Sequence, residues 1–467
     1  MELIELHILQ SFPPTCLNRD RFGAPKSAMF GGFERARVSS QAWKRPTREL
    51  AHEMMPNIFG ASRSKILGPA IEKATRELGA NDRVSVAVTE IVLTAMKKDT
   101  NHAGWVETLF FFSPESLKNV IRPLIKTGLA IEGVSTSDEK KVLLFDMMGT
   151  DESKWELVEK FNLFAPKMLE DVLNDFDKGD SLSCVVVKRN SEDKKEKEDA
   201  EKKYMDLMAN LTKQLEKVSK SEGFKASTKK SDCKPTKSSI LERFGENVTD
   251  AADIALFGRM VADDPSQTVE GAAMFSHAMS THAVRSELDF FSAVDDEKKR
   301  SGGADDAGAG HLGDVEYNSA CYYRYIGINL DLLDSEQKKN NCKLFDSAQK
   351  KVILETFLKA AILAIPQARK NSMAGPTYPS YILAMKRSGQ PLSLANAFER
   401  PVQAKKGSGY IEPSVTALEK EWSTMEDCFS VKTDVLCKMD PKNIGTNEKI
   451  VSASLDKLVE KLVADIG

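Results

Sequence analysis

The strongest constraint on this chain is a concentration of positive charge close to its N-terminus. Residues 16–48 contain eight basic side chains and two acidic ones, whereas the whole chain of 467 residues has a formal net charge of −3. A Phe30–Phe33 turn with two glycines lies inside the stretch, and Ser39 and Ser40 can start a helix. Guanidinium groups, exposed N–H groups and a helix N-terminus all favour oxyanions. The stretch therefore predicts an anion site, and a phosphate backbone fits it best. Its basic residues are Arg19, Arg21, Lys26, Arg35, Arg37, Lys44, Arg45 and Arg48.

The remaining composition is that of an ordinary soluble globular protein, with room for two or three structural units. We find no apolar run long enough to cross a bilayer and no leader at Met1, so we expect a cytoplasmic protein without membrane contact. The seven cysteines form no CxxC pair and are predicted to be reduced thiols. A mildly acidic chain still permits a local nucleic-acid groove, because nearby charges set the field at a site.

Periodicity predicts a strand at the very start of the chain. The alternation places Ile4, Leu6 and Ile8 on one side of this strand and Glu5 and His7 on the other. The strand leads into the basic loop, and a helix is expected from Ser40, although Pro46 must kink it or delay its start.

Helical periodicity dominates residues 51–180, interrupted by a short apolar run, Thr108–Phe112, that is typical of a buried strand. Residues 188–237 contain fifteen basic and ten acidic side chains. They predict a solvated helical insertion that ends in a flexible loop near residues 227–237. This insertion is either a plain charged surface or a row of lysines that contacts nucleic acid.

The second half of the chain contains a predicted long β-hairpin. Its arms are Thr281–Asp296 and Val315–Leu330, and the Gly/Ala/Asp-rich stretch Ser301–Gly310 forms its tip. Such a hairpin projects from a domain rather than filling its core.

Four further segments have a predicted type. Asp250–Met260 is strand-like, Glu270–Thr281 is expected to be a helix carrying His277, and Lys350–Ile365 an amphipathic helix. Beyond Val402 the pattern is helical to the end of the chain.

Catalytic motifs are scarce. We find no Walker A loop, no GxSxG elbow and no Rossmann fingerprint. Asp20 lies between Arg19 and Arg21, where it is best interpreted as an ion-pair organiser of the loop, yet it is also the best candidate for cleaving a ribose-phosphate chain. A metal-dependent RNase that uses Asp20 is therefore the alternative function, and no cofactor is predicted. A second, weaker option is a metal centre built from His277, His282, Asp289, Asp295, Asp296, His311 and Glu316.

Nucleic-acid binding is the better-supported prediction. A groove that follows a single strand needs cations for phosphates and apolar groups that stack on bases or wedge between them. Phe290 and Phe291 in the hairpin and Met260 after the Gly258-Arg259 turn supply apolar groups. Two alternatives stay open for the two phenylalanines, namely ordinary core packing and a protein-docking arm.

Eight motifs, in the same order along the chain, resemble those of the CasC family, the backbone subunit of the type I-E CRISPR Cascade complex. They are LNRD (Leu17–Asp20), the FGG-to-KR run (Phe30–Arg45), DIALFGRM (Asp253–Met260), Ser276-His277-Ala278 with Thr281-His282, DFFSAVDD (Asp289–Asp296), GHLG (Gly310–Gly313), YRY (Tyr323–Tyr325) and LSLANAFE (Leu392–Glu399). Residues 51–250 resemble the family only weakly.

The resemblance implies an α+β fold with three parts. These are a modified RRM-like (ferredoxin-like) palm of residues 1–50, 250–280 and 325–467, an inserted helical fingers domain of residues 51–249, and a β-hairpin thumb of residues 281–325. It also implies a non-catalytic subunit whose copies polymerise along the CRISPR RNA and kink it at intervals, so that the intervening bases pair with target DNA. Other Cascade subunits and, indirectly, a recruited helicase-nuclease would be its partners.

The resemblance also assigns residues. The guide-binding residues of the palm would be Asn18, Arg19, Lys26, Ser39, Gln41, Lys44, Arg45 and Arg48. Met260 would be the apolar residue wedged at the kinked nucleotide, and Phe290 and Phe291 would be the thumb aromatics. Arg259, next to Met260, is a further predicted RNA-binding residue. Lys202, Lys203, Lys213 and Lys217 are candidates for nonspecific contact with target DNA.

Overall fold

A computed structural model gives the architecture of the chain. It describes residues 1–96, 98–148, 157–158, 166–175, 185, 188–189, 193–221, 250–260, 268–293, 300, 311–333, 345–404, 407 and 409–466. None of the helices in these ranges is both long enough and apolar enough to span a bilayer.

A ten-stranded sheet forms the centre of the described structure, and a separate two-stranded sheet, β4–β5, lies in the inserted region. The long path through the large sheet runs β12-β11-β10-β1-β9-β7-β3-β2, and β6 and β8 pair with β9 beside this path. The strands are β1 (Glu2–Thr15), β2 (Ser27–Phe30), β3 (Phe33–Val38), β4 (Ser62–Ile66), β5 (Trp105–Phe112), β6 (Ala273–Phe275), β7 (Ala278–Ser280), β8 (Glu287–Ala293), β9 (His311–Asn329), β10 (Tyr381–Ser388), β11 (Val435–Met439) and β12 (Val451–Ser452).

Helices cover the sheet and build the inserted region. Within the described ranges they are α1 (Ser40–Met54), α2 (Gly68–Glu77), α3 (Asp82–Ala95), α4 (Pro114–Glu132), α5 (Asp138–Met148), α6 (Pro166–Asp175), α7 (Lys194–Ser221), α8 (Ala252–Phe257), α9 (Ser347–Leu363), α10 (Lys370–Met373), α11 (Ile411–Phe429) and α12 (Leu455–Val463). The large sheet is antiparallel except where β11 pairs with β12, and a mainly antiparallel sheet packed against helices confirms the predicted α+β class.

Strand β1 lies in the middle of the sheet, antiparallel to β9 on one side and to β10 on the other. The predicted alternation is confirmed, because Ile4 packs in a core with α9 and α12 on one side of the sheet, while Leu9 packs in a second core with α11 on the other side. Glu5 and His7 do not reach solvent, however, since both are fully buried. A central strand covered on both sides must bury its polar residues too, and these then need partners.

Helix α1 starts at the predicted serines. Ser39 is its N-cap residue in an extended conformation, and Pro46 lies within the helix rather than at a later start. The buried side of α1 carries Trp43, Thr47 and Ala51, which hold the helix against the sheet. Its opposite side is left for polar residues.

The inserted region is mainly helical, as predicted, and has its own apolar core. The predicted buried strand is β5. Helix α7 confirms the helical part of the charged insertion, with Tyr204, Leu211 and Leu215 buried at helical spacing. The predicted flexible end at residues 227–237 lies outside the described residues.

Strands β8 and β9 form an antiparallel hairpin in which Glu287 pairs with Tyr317 and Ala293 with His311. The first arm begins later than predicted, at Glu287, and the second begins earlier, at His311. The predicted glycine-rich tip, residues 301–310, lies outside the described residues.

Three segment predictions are wrong. Ala252–Phe257 is a helix rather than a strand, because Ala252 and Leu256, four residues apart, pack in the core beside the large sheet, while Ile254 packs with Ala61 and Phe111. The expected helix at residues 270–281 is instead strands β6 and β7, which pair with β9. The C-terminal part contains β11 and β12 between its helices, since sheet pairing overrode a weak local preference.

Candidate nucleic-acid interface

The loop from Leu17 to Phe30 is fixed to the start of α1 by Asn18. The Asn18 side-chain oxygen accepts a hydrogen bond from the Ser39 N–H at 3.0 Å. The Asn18 carbonyl accepts from the Lys26 N–H at 2.9 Å, and the Lys26 carbonyl accepts from the Arg37 N–H at 2.8 Å. Two of the predicted site residues, Asn18 and Ser39, therefore set the backbone that positions the others, and Ser39 is itself buried.

Asp20 organises the same loop through main-chain groups. Its Oδ1 atom accepts from the N–H groups of Phe22 at 2.8 Å and Ala24 at 3.0 Å. The Asp20 N–H in turn donates to the Ala24 carbonyl at 2.8 Å. This arrangement closes a tight turn and leaves the neighbouring Arg19 and Arg21 exposed to solvent.

The exposed side of α1 carries the predicted helical site residues. Gln41, Lys44, Arg45 and Arg48 have the spacing i, i+3, i+4 and i+7, which places them on one side of a helix. They lie opposite the side that α1 buries. The sequence predicted these residues from a family motif, and the helix geometry gives them a common direction.

The four residues of this row have different environments. Lys44 is half-buried with its Nζ 5.7 Å from the centre of the Phe275 ring, and desolvation lowers its pKa. Arg45 is exposed and pairs with Glu49 at 2.8 Å. Arg48 donates to the Ala61 carbonyl at 3.2 Å, so it also links α1 to the inserted region.

Arg35 is not exposed, although the sequence predicted it to be one of the basic residues of the anion site. It is fully buried, and its guanidinium donates to the carbonyl of Ser280 at 3.0 Å and to those of Phe398 and Glu399 at 2.8 and 3.1 Å. The FGG turn packs on the same main chain, since a Cβ on Gly31 would lie 1.9 Å from the Glu399 carbonyl oxygen. Arg35 therefore holds the turn in place instead of binding an external anion.

The turn at Gly258 separates two predicted residues. Gly258 has φ of 79°, and a Cβ there would lie 2.8 Å from the Val269 carbonyl oxygen, so the position requires glycine. Arg259 is 6% exposed, and its guanidinium lies 5.4 Å from the Phe110 ring centre. Met260 is 81% exposed. The turn thus presents Met260, whereas burial leaves little of Arg259 for a ligand.

The hairpin carries exposed apolar side chains. Leu288 and Phe290 are about two-thirds exposed and lie two residues apart on β8, so they share one side of the strand. Phe291 lies on the other side and is also exposed. Ordinary core packing, one of the alternatives for these phenylalanines, is therefore wrong.

The four lysines assigned to DNA lie on α7. Lys202, Lys203, Lys213 and Lys217 are all exposed, opposite the side of the helix that contacts the core. Their placement suits either a plain solvated surface or a long anion.

The histidines have structural contacts. His277 lies 3.3 Å from Arg37 through its Nδ1 atom. His282 is buried, its ring stacks on Tyr410 at 3.6 Å between centres, and its Nε2 accepts from the Cys321 N–H. Burial lowers the pKa of His282. Among the described residues, no three His, Cys, Asp or Glu side chains are grouped to hold a metal ion. Asp295 and Asp296 lie outside those residues.

Sequence reasoning missed Arg63 on β4. Its guanidinium lies 5.1 Å from the Phe111 ring centre, and that of Arg48 lies 5.4 Å from the same ring. The alternating Ser62-Arg63-Ser64-Lys65 pattern predicts an exposed strand but not this convergence. The structure therefore brings the loop and the α1 row together and extends them towards β4.

Comparison with known proteins gives a consistent picture of the fold. A family model described as CT1975-like protein matches residues 4–160 and 162–461. A chain of a solved "CRISPR RNA-guided surveillance complex, pre-nicking" is 21% identical with a TM-score of 0.65, and all of both chains is covered. A chain of another "CRISPR RNA-guided surveillance complex" is 17% identical with a TM-score of 0.57 over 99% of each chain. A search among curated proteins gives no match.

Proposed function

The chain belongs to the CT1975-like protein family, and from this premise we propose that it is a CRISPR RNA-binding backbone subunit of a surveillance complex. Fold similarity over the full length to chains of such complexes supports the proposal. Because fold alone does not determine function, the proposal depends on the site.

One observation carries the proposal, namely the row of Gln41, Lys44, Arg45 and Arg48 beside the exposed cations of the Asn18-anchored loop. Cations spaced along a helix match the repeated charges of a phosphate backbone. The row offers charges and one amide and no arrangement for distinguishing one base from another. It therefore suits a subunit that holds a guide and leaves sequence recognition to base pairing.

Apolar groups complete the proposed mode of binding. Met260 on the Gly258 turn and Phe290 on β8 are large apolar side chains that remain in water in the isolated chain. Stacked or wedged against a base, each would be desolvated, and a stacked base contributes about 1–3 kcal/mol irrespective of its identity. Successive copies would displace bases at intervals and leave the others free to pair with target DNA.

The proposal includes the finer assignments that the resemblance implied. The large sheet would act as an RRM-like palm, the inserted region as fingers and the β8–β9 hairpin as a thumb in a type I-E complex. The exposed lysines of α7 would contact target DNA, while other Cascade subunits and a recruited helicase-nuclease would be partners. We propose a non-catalytic role, and the engagement of Asp20 Oδ1 by two main-chain N–H groups supports it.

The test replaces Arg19, Lys44 and Arg45 together by alanine and measures binding of a single-stranded CRISPR RNA at several salt concentrations. Three fewer neutralised phosphates should reduce the slope of log K against log salt by about 2. The control replaces Lys420, Lys432 and Lys457, which are exposed lysines elsewhere, and should leave the slope unchanged. An unchanged slope in the first variant would overturn the site assignment.

A further inference from the structure

The segment between α9 and β10 carries two cations that the proposed function does not use. Arg369 is half-buried and Lys370 is exposed, at the start of the short helix α10. The two cations lie in a polar stretch of six residues, 367–372, that follows Pro366. In the fold, this segment lies against the residues that lead into the basic loop, since a Cβ on Gly375 would lie 2.8 Å from the Thr15 side chain, although some 350 residues separate the two in sequence.

Hydrogen bonds fix the segment to the end of β1. The Gln10 side-chain amide donates to the Thr377 carbonyl at 2.5 Å. The Thr377 hydroxyl donates to the Ser11 carbonyl at 2.7 Å, and the Ser380 N–H donates to the Leu9 carbonyl at 2.8 Å. Because β1 leads directly into the loop at Asn18, the segment and the loop share one support.

The backbone of the segment is strained at two positions. Arg369 has φ of 55° and Ala374 has φ of 44°, and both residues adopt the left-handed conformation that suits glycine or asparagine. A non-glycine residue held there costs about 1–3 kcal/mol. This left-handed conformation sets the direction in which the Arg369 side chain leaves the backbone.

The charges of Arg369 and Arg19 both act on the thiol of Cys16, which follows directly after the residue that Gly375 packs against, Thr15. Burial raises the pKa of the Cys16 thiol, and the charges of Arg19 and Arg369 both act to lower it. The carboxylates of Asp20 and Glu316 act on the same thiol in the opposite direction. Asp20 is already engaged by main-chain N–H groups, and the buried Nε of Arg369 has no hydrogen-bond partner among the described residues.

We infer that Arg369 and Lys370 form a second phosphate contact next to Arg19, on the same nucleic-acid chain that the α1 row holds. The inference rests on the proposed function and extends it to a segment from the other end of the sequence. A half-buried guanidinium and a neighbouring exposed ammonium suit an oxyanion. The contact would hold the RNA where the loop meets the end of β1.

The experiment compares single-stranded RNA binding of the full chain and of the double variant R369N/K370Q across a salt series. Asparagine tolerates the left-handed conformation, so this change removes charge without adding strain. We expect a loss of affinity of about tenfold, since a hydrogen bond to a charged group contributes on that scale, and a slope reduced by about 1.4. The variant A374G, which relieves strain and keeps the charge, should bind RNA like the parent chain.

The outcomes separate this inference from the proposed function. A reduced slope in R369N/K370Q with normal thermal unfolding supports the second contact. If the parent chain binds RNA, the variant with Arg19, Lys44 and Arg45 replaced binds weakly and R369N/K370Q keeps the parent slope, the second contact is overturned and the proposed function stands. If the parent chain shows no salt-dependent RNA binding, both are overturned.

Discussion

Arg35 and Arg37 lie two residues apart on β3, yet they belong to two different regions of charge. Arg35 is fully buried and donates to three carbonyl oxygens, like Arg324 further into the sheet, which donates to the carbonyls of Ala361 and Ile362. Arg37 is half-buried, and its guanidinium lies near the Ser27 carbonyl and the His277 ring at the border of the solvated region that contains Arg19 and Arg45. A count of basic residues cannot separate these regions, because the available partners decide which charge is structural.

Folding must remove water from the charges of the buried region, and removing one partner of a buried pair lowers the stability of the fold. Glu5 and Arg387 form an ion pair inside the sheet, where the Glu5 carboxylate also accepts from the Tyr325 hydroxyl and from the Leu392 N–H. Burial lowers the pKa of Arg324 to about 9. By contrast, the exposed cations have lost little hydration and remain available to an external phosphate. The comparison predicts that changes in the two regions affect different measurements.

The largest effect is expected for R387M, which leaves the Glu5 carboxylate buried without its cation. We expect the free energy of unfolding to fall by about 3–5 kcal/mol, measured by chemical denaturation. The double variant E5Q/R387M should recover part of this loss, because it also removes the unpaired charge. If R387M alone unfolded like the parent chain, the buried pair would not be a structural element of the sheet.

A smaller effect is expected for D253N. Asp253 is fully buried at the root of the inserted region, and burial raises its pKa to about 7 although the charge of Arg48 opposes this. An unfolded aspartate has a pKa of about 3.9. The stability that protonated Asp253 contributes is therefore complete below about pH 4 and is lost as the pH rises through about 7.

D253N removes this dependence. The free energy of unfolding of D253N minus that of the parent chain should increase by about 2–4 kcal/mol from pH 4 to pH 8, because only the parent chain loses stability over this range. Denaturation curves at several pH values measure the difference, and two parallel pH profiles would contradict the prediction.

The smallest stability effect is expected for R45A in the solvated region. Arg45 is 79% exposed and its pair with Glu49 is an i, i+4 surface pair. Its removal should change the free energy of unfolding by less than about 0.5 kcal/mol, while RNA affinity falls. A large loss of stability with unchanged RNA binding would place Arg45 in the buried class and reverse the comparison.

Local pattern was sufficient for much of the fold and for part of the site. Alternation predicted β1, helical spacing predicted α7 and α9, and the strand run predicted β5. These elements have a period that matches the side they bury. The α1 row was also accessible from sequence, since Gln41, Lys44, Arg45 and Arg48 are close together along one helix.

Contacts between residues that are far apart in the sequence could not be predicted from local pattern. Strands β6 and β7 are three residues each and exist because β9 lies beside them. The burial of Arg35 depends on carbonyl groups at Ser280 and Phe398, and the position of Arg369 depends on contacts with β1. Such residues are identified by their partners, which a single sequence does not place in space.

The central position of β1 has a consequence for how the chain is made. Leu3 pairs with Asn329 and with Arg387, so this strand cannot pair with either neighbour until more than three hundred further residues have been synthesised. During that time an apolar strand with unpaired edges would remain available to wrong partners. Nascent chains of this protein should therefore depend on a holding chaperone more than chains whose central strands pair locally.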